Sequence, residues 1–334
     1  MTDTIATPVA TAPPAASPTT NAAGLQLTPV QLRTLDSLRR GESDMTFDDE
    51  LMTELRADAH DGLTLLGERL GSSELVVTKH TIGTVLDCET RHLAPDDFTW
   101  SPARARGTVT HKAIQLLLNW RGVPVPLDVV DEALARLADE EHNSIGDYIA
   151  GLGPGEEADL RGQTLELLTK FIECFPPLDP RAHPMTETAI RFPVDGPIVL
   201  RARVDLVIGR PRGTEARKVI IDLKTGRIVD RHRQDLRFYA LVETLCRGVP
   251  PRKLASFSLD AGVAIVEEVT PALLRSTLRR TLDAVERMVE LRAERRPASI
   301  TPGPSCRWCH LLAGCAPGRA SIAPVDADEA DGPD

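Results

Sequence analysis

Hydrophobic residues recur with a helical period through the first half of this 334-residue chain and with a strand-like period of two in its middle. Thr28-Pro29 opens a helix over 29–40, with proline in the first turn. Leu51, Leu55, Leu63, Leu65 and Leu70 predict one or two helices over 47–70. A short strand is expected at 75–77. Thr78 then caps a helix that carries Ile82, Val85 and Leu86 and ends near Cys88 and Arg91. The stretch 95–102 reads as a loop. Val109, Ala113, Leu116 and Leu117 stripe a helix over 107–120 that also carries His111, and Gly122 ends it. Further helices are expected at 127–141 and 157–175, before Pro176, Pro177, Pro180 and Pro184 break the chain. Strands follow at 186–192, 198–208 and 218–222, a helix at 232–246, strands at 253–259 and 263–269, and a long amphipathic helix at 271–295. Helices, strands, a helix and strands again predict an α/β (α+β) fold: a mixed central sheet flanked by helices, with a helical N-terminal extension. There are no internal repeats.

The chemistry concentrates between Leu200 and Tyr239. Side chains alternate faces along a strand. Ala202, Val204, Leu206 and Ile208 are expected on one face of the first run, and Arg201, Arg203 and Asp205 on the other. In the second run Val219, Ile221 and Leu223 face one way, and Ile220, Asp222 and Lys224 the other. Paired as neighbours, the strands bring two carboxylates and an ammonium into one small volume. Carboxylates that close raise each other's pKa unless a cation sits between them. A hard divalent ion with oxygen ligands meets that need, and Lys224 then faces an anion. This is apparatus for metal-assisted attack on a phosphodiester. Asp-x-Lys on its own is equally the pattern of a strand-end salt bridge.

Composition narrows the setting. No apolar run approaches a membrane span, and no basic segment followed by an apolar one opens the chain, so the expected compartment is the cytoplasm. The formal net charge is -10, which weighs against a uniformly basic nucleic-acid surface. That charge sits at the ends, however. Residues 1–80 hold 12 acids and 6 bases, and the stretch from Arg319 holds 5 acids and 1 base, leaving 81–318 near neutral and free to carry a local basic groove. The Thr-, Ala- and Pro-rich 1–25 is expected to be a disordered tail and 320–334 an acidic one. Between them the organisation reads as a helical region at 26–100, a core at 101–300 and a cysteine-rich segment at 301–319. There is no Gly-x4-Gly-Lys-Ser/Thr loop, hence no visible ATPase motor.

Six cysteines in a cytoplasmic chain are not expected to form a disulfide framework. Cys174 and Cys246, isolated in apolar helical contexts, read as core thiols. Cys306, Cys309 and Cys315 share one loop bounded by Pro and Gly, which suggests a soft metal or an iron–sulfur cluster. The fourth ligand is either His310, in a Cys3His zinc site, or a distant cysteine, of which Cys88 is best placed.

Taken in order, these features resemble the PD-(D/E)XK nuclease superfamily, specifically its RecB-like group of CRISPR-associated and recombination exonucleases. The resemblance runs from Leu75 to Gly318. The group's Gly-x-x-x-His helix corresponds to Gly107–His111. Its Gly-x-x-Asp strand corresponds to Ala202-Arg-Val-Asp205, and its Asp/Glu-x-Lys to Asp222-Leu-Lys224. Its Gln-x-x-x-Tyr helix is displaced here: Asp235 stands four residues before Tyr239, and Gln234 five. The resemblance implies a restriction-endonuclease-like core in which His111, Asp205, Asp222 and the Leu223 carbonyl hold Mg²⁺ or Mn²⁺. Lys224 would stabilise the developing charge, while Tyr239, Gln234 and Asp235 position the strand or the lysine. Glu187, on the preceding strand, is a secondary candidate. It also implies a [4Fe–4S] cluster on Cys88, Cys306, Cys309 and Cys315 that ties the chain ends around the core. The expected partner is DNA, as single strands or ends, with a separate helicase or another repair or defence protein supplying them. The alternative is a catalytically silent DNA-binding or partner subunit of the same fold.

Overall fold

In the computed structural model the described residues are 26–39, 41, 45–71, 73–95, 98–139, 144–193, 196–293 and 296–322. The expected tail at 1–25 and all but the first residues of the tail at 320–334 lie outside them. The first half is helical: α1 (Pro29–Leu38), α2 (Asp49–Leu70), the short β1 (Leu75–Val77), α3 (Lys79–Asp87), α4 (Glu89–Leu93), α5 (Pro102–Leu118), α6 (Pro126–Ala138), α7 (Ser144–Ala150) and α8 (Pro154–Cys174). Then come β2 (Met185–Phe192), β3 (Ile198–Ile208), β4 (Val219–Lys224), α9 (Asp230–Arg247), β5 (Lys253–Ser258), β6 (Val263–Glu268), α10 (Pro271–Arg292) and α11 (Ala316–Ile322). Among the described residues no helix is long and apolar enough to cross a membrane.

Local chemistry sets the helix starts. The hydroxyls of Thr28, Thr78, Ser101 and Thr270 accept the backbone N–H of Gln31, Thr81, Arg104 and Leu273, and proline occupies the first turn of α1, α5, α6, α8 and α10. Ser101-Pro102 starts α5 five residues ahead of the expected Gly107, which lies inside the helix. Of the stretch 47–70, Asp49–Leu70 is one helix capped by Asp48, and Leu65 faces out of it. Seven-residue α7 is too short to announce itself by periodicity.

The six strands form one mixed sheet in the order β1-β3-β4-β5-β6, with β2 antiparallel to β3. One apolar layer packs α2, α3, α9 and α10 against Leu200, Ala202, Val204, Ile220 and Leu254. The opposite layer packs α5, α6 and α8 against Leu206, Val219, Ile221, Leu223, Ala255 and Phe257. Its centre is a cluster of three rings, with Phe171 stacked on Phe175 at 4.8 Å and Phe257 edge-on to both. Cys174 and Cys246 are only half-buried, each against one of the layers.

The single face expected for Ala202, Val204, Leu206 and Ile208 is split. The first two lie in one layer and the last two in the other, with Val207 back in the first. The parity slips at Asp205, where the 187–205 step drops out of the β2–β3 ladder. Its partner Glu187 has φ +50°, in the left-handed region. A non-glycine residue there turns its strand out of the pleat and is costly.

Candidate active site

β2 occupies one edge of β3 from Leu200 to Val207, so β1 and β4 share the other edge. β1 pairs with Ile198–Leu200 and β4 with Leu206–Ile208. Between them β3 and β4 part like a fork. At its vertex the next backbone bond is replaced by a side chain: Leu223 N–H donates to Asp205 Oδ2 at 2.7 Å. The Leu223 carbonyl in turn accepts from His111 Nε2–H at 3.0 Å. Asp205 and His111 thus hold the two successive peptide groups that flank the Leu223 Cα.

α5 delivers the imidazole. Arg104, Gly107, His111 and Gln115 fall along one of its faces and line a cavity of about 810 Å³ together with Glu187 and Asp205. His111 Nδ1 lies 3.5 Å from Asp205 Oδ1 and 4.0 Å from Glu187 Oε1. Burial lowers the His111 pKa, but the charges of Asp205 and Glu187 outweigh it and leave the imidazole above its ordinary value. For Asp205 burial raises the pKa, while His111 and the Leu223 N–H prevail and hold it low. Glu187 moves the other way, raised by burial and by the charge of Asp205.

Asp222 projects from β4 on the α9 side and is 1% exposed. Lys224 Nζ is 2.7 Å from Asp222 Oδ2 and Lys79 Nζ is 3.7 Å from Oδ1. Neither carboxylate oxygen accepts a well-directed hydrogen bond among the described residues. Burial and the charge of Asp205 push its pKa up against the pull of both lysines. Lys79 and Lys224 line the large cavity and also a neighbouring one of about 280 Å³, which Gln234, Asp235, Arg231 and Arg280 border. The structure therefore brings His111, Asp205, Asp222 and Lys224 to the fork, with Glu187 opposite. Gln234, Asp235 and Tyr239 lie on the far side of Lys79.

Lys79 is the residue that motif spacing missed. It also sits 3.9 Å from Asp235 Oδ2 and 4.9 Å above the Tyr239 ring. As the first residue of α3 it belongs to a different element from every motif; only the cap at Thr78 marks its position. The Tyr239 phenol is raised well above its ordinary value by burial and the nearby carboxylates, so it stays protonated. His232, lowered to about 4 by burial and by Lys224, is neutral.

The donor set fits a divalent cation. One ligand atom each from His111, Glu187 and Asp205 lies within 4.8 Å of the others. A cation there would also compensate the buried Asp222 carboxylate. That a nitrogen is joined by oxygens suits a hard or borderline metal.

A separate cavity of about 500 Å³ is lined by Cys88, Cys306, Cys309 and Cys315. His310 is exposed and does not line it. Gly303 and Gly318 direct backbone N–H groups at Cys306 Sγ and Cys315 Sγ, at 3.4 and 3.3 Å. Glu89, next to Cys88, locks the two chain segments together. It is buried, takes both nitrogens of the Arg296 fork at 2.6 and 2.7 Å, and accepts the Ser299 N–H and hydroxyl.

Residues 80–316 match the family model of the PD-(D/E)XK nuclease superfamily. No curated protein matches the chain. Among solved structures, a candidate exonuclease from Eubacterium rectale is 11% identical, with 84% of this chain and 94% of that one covered and a TM-score of 0.45. The structure of SSO0001 is 16% identical, with 63% and 95% covered and a TM-score of 0.30.

Proposed function

Because the chain belongs to the PD-(D/E)XK nuclease superfamily, we propose that it hydrolyses DNA phosphodiester bonds with Mg²⁺ or Mn²⁺ held at the fork of β3 and β4. One observation carries the reading: the His111 imidazole and the Asp205 and Glu187 carboxylates stand at ligand spacing from one another, beside the buried Asp222 and the ammonium groups of Lys79 and Lys224. His111, Asp205 and Glu187 would hold the metal, with Asp222 and the Leu223 carbonyl as further oxygen ligands. A bound Mg²⁺ or Mn²⁺ supplies Lewis-acid polarisation of the phosphate and a water acidic enough to attack. The protein's own groups do the rest. Asp222 fixes the Lys224 ammonium, which faces the cleft and stabilises negative charge developing on the phosphate oxygens. Lys79, braced by Asp222, Asp235 and Tyr239, neutralises an adjoining phosphate. Asp205 and His111 fix the backbone on both sides of Leu223, so the ligands stay in register. Gln234 borders the path of the strand beyond Lys79.

Cys88, Cys306, Cys309 and Cys315 are proposed to carry a [4Fe–4S] cluster that ties α4 to the C-terminal segment. The four thiols line one cavity of about 500 Å³, and the backbone N–H groups of Gly303 and Gly318 are aimed at the sulfurs of Cys306 and Cys315; N–H donors to sulfur support the cluster reading. With no nucleotide-binding loop of its own, the nuclease depends on ends already exposed or on a separate helicase, as in repair, recombination or defence.

The test is cleavage of end-labelled single- and double-stranded DNA with each divalent ion. Asp222→Ala abolishes cleavage; unchanged turnover rejects the site. DNA binding with no turnover by the cluster-loaded wild type points to a silent binding subunit instead. Iron and sulfide assays of protein purified without oxygen should give about four of each per chain, and stoichiometric zinc would reject the cluster.

A further inference from the structure

The wall of the active-site cavity carries an aromatic pair that the proposed chemistry does not use. Only 12 residues of the chain are aromatic, and most of the phenylalanines are in the core. Phe98, however, is 58% exposed. It meets Trp100 edge to face at 5.0 Å and 89°. Trp100 rests in turn on Tyr148, with ring centroids 6.1 Å apart. The Arg104 guanidinium lies 5.1 Å over the Phe98 ring, held by a 2.6 Å bond from Nη1 to the Thr99 carbonyl. Phe98, Trp100 and Arg104 line the same cavity as His111, Asp205 and Lys224. Arg104 is seven residues ahead of His111 on α5, about 10 Å along the axis.

We infer that Phe98 and Trp100, with Arg104, form a stacking platform for an unpaired base of single-stranded nucleic acid entering the cleft. This rests on the nuclease reading and narrows its substrate. An exposed ring backed by packed rings offers a flat apolar face, and any base stacks on such a face regardless of sequence. The guanidinium over one face of the Phe98 ring meets the backbone charge, as does Lys79 nearer the fork. A duplex cannot use the platform, because its bases already stack on one another; only unpaired nucleotides splay onto an aromatic side chain.

The test measures binding of the full chain to fluorescent oligonucleotides in Ca²⁺, and cleavage in Mn²⁺. Wild type should bind a single strand more tightly than the matching duplex. A single abasic nucleotide, scanned along the strand, should weaken wild-type binding at one position. Phe98→Ala should weaken binding of the intact strand about 5- to 150-fold and lose nothing further at that abasic position, whereas Phe98→Trp restores both. Because Phe98 is exposed, Phe98→Ala should fold as wild type does, and Trp100→Ala checks the same surface from its second ring. A strand that wild type cleaves, bound equally by Phe98→Ala and Trp100→Ala, overturns the platform and leaves the nuclease standing. No binding or cleavage of any nucleic acid by wild type overturns both.

Discussion

Replacing Glu89 by glutamine strikes the joint between α4 and the segment that leads to the three C-terminal cysteines. Glu89 is 2% exposed, and its carboxylate binds the Arg296 fork and two donors of Ser299. Arg296 first of all, and Ser299 after it, overcome the cost of burial and hold the Glu89 pKa down to about 2, against an ordinary 4.5. At about 1.36 kcal/mol per pKa unit, that depression has a ceiling of about 3 kcal/mol. Arg296 is 34% exposed on the far side of the pair, so solvent screening brings the expected contribution to about 2 kcal/mol. A depressed carboxyl pKa stabilises the fold fully above its unfolded value, and the contribution is lost as pH falls through the folded one. Glu89→Gln should therefore cost about 2 kcal/mol in urea denaturation near neutral pH, with the gap to wild type narrowing as pH falls from about 5 towards 2. Amide exchange should quicken at Thr90 and Ser299, whose N–H groups bridge the two segments. Stability within about 0.5 kcal/mol of wild type, with both amides still slow, would show that the joint is held by something other than this carboxylate.

The remaining expectations concern the fork, the cysteines and one tight contact. Lys224→Met should lower the Mn²⁺-dependent cleavage rate by about 10²- to 10³-fold with little change in DNA affinity; a loss confined to affinity would assign the lysine to binding. Mn²⁺ affinity, read by electron paramagnetic resonance, should be tighter at about pH 8 than at about pH 6, because the proton on His111 has a pKa above 6.5 and must leave before Nδ1 can act as a ligand; a flat profile argues against the imidazole. Cys88→Ser should lose iron as completely as Cys306→Ser, and full iron in Cys88→Ser would exclude it as a ligand. Gly262 has φ +65°, and a Cβ there would stand 2.6 Å from Cys174 Sγ, so Gly262→Ala should cost about 1–3 kcal/mol, and an unchanged melting temperature would contradict that.

Most of the fold could be read from the sequence because its long helices and strands satisfy local and global demands together. Ser and Thr caps, first-turn prolines and apolar stripes agree with the packing, and the helix–strand order specified a mixed sheet. The departures arise where local pattern lacks the information. α7 spans too few turns to show a period, and α5 reaches back to Pro102 because the Ser101 cap outweighs the interior Gly107. The alternation of β3 breaks at Asp205 because its neighbour Glu187 sits at φ +50° on another strand, and a period-two reading of β3 alone cannot register that.

The same distinction governs the site. His111, Asp205, Asp222 and Lys224 announce themselves through fixed spacings within single helices or strands. Lys79 and Glu187 reach the cleft only through tertiary placement. β1 ends beside the opening of the fork, so the first residue of α3 projects its ammonium between Asp222 and Asp235. The kink at Glu187 turns its carboxylate towards His111. Neither residue carries a neighbour-defined motif, since each depends on where β3 meets a different strand. A fork that separates β3 from β4 and leaves two carboxylates facing it creates a demand for positive charge that Lys224 alone does not meet. Lys79 supplies one further charge, and the gap bounded by His111, Glu187 and Asp205 has the ligand spacing for a cation to supply the remainder.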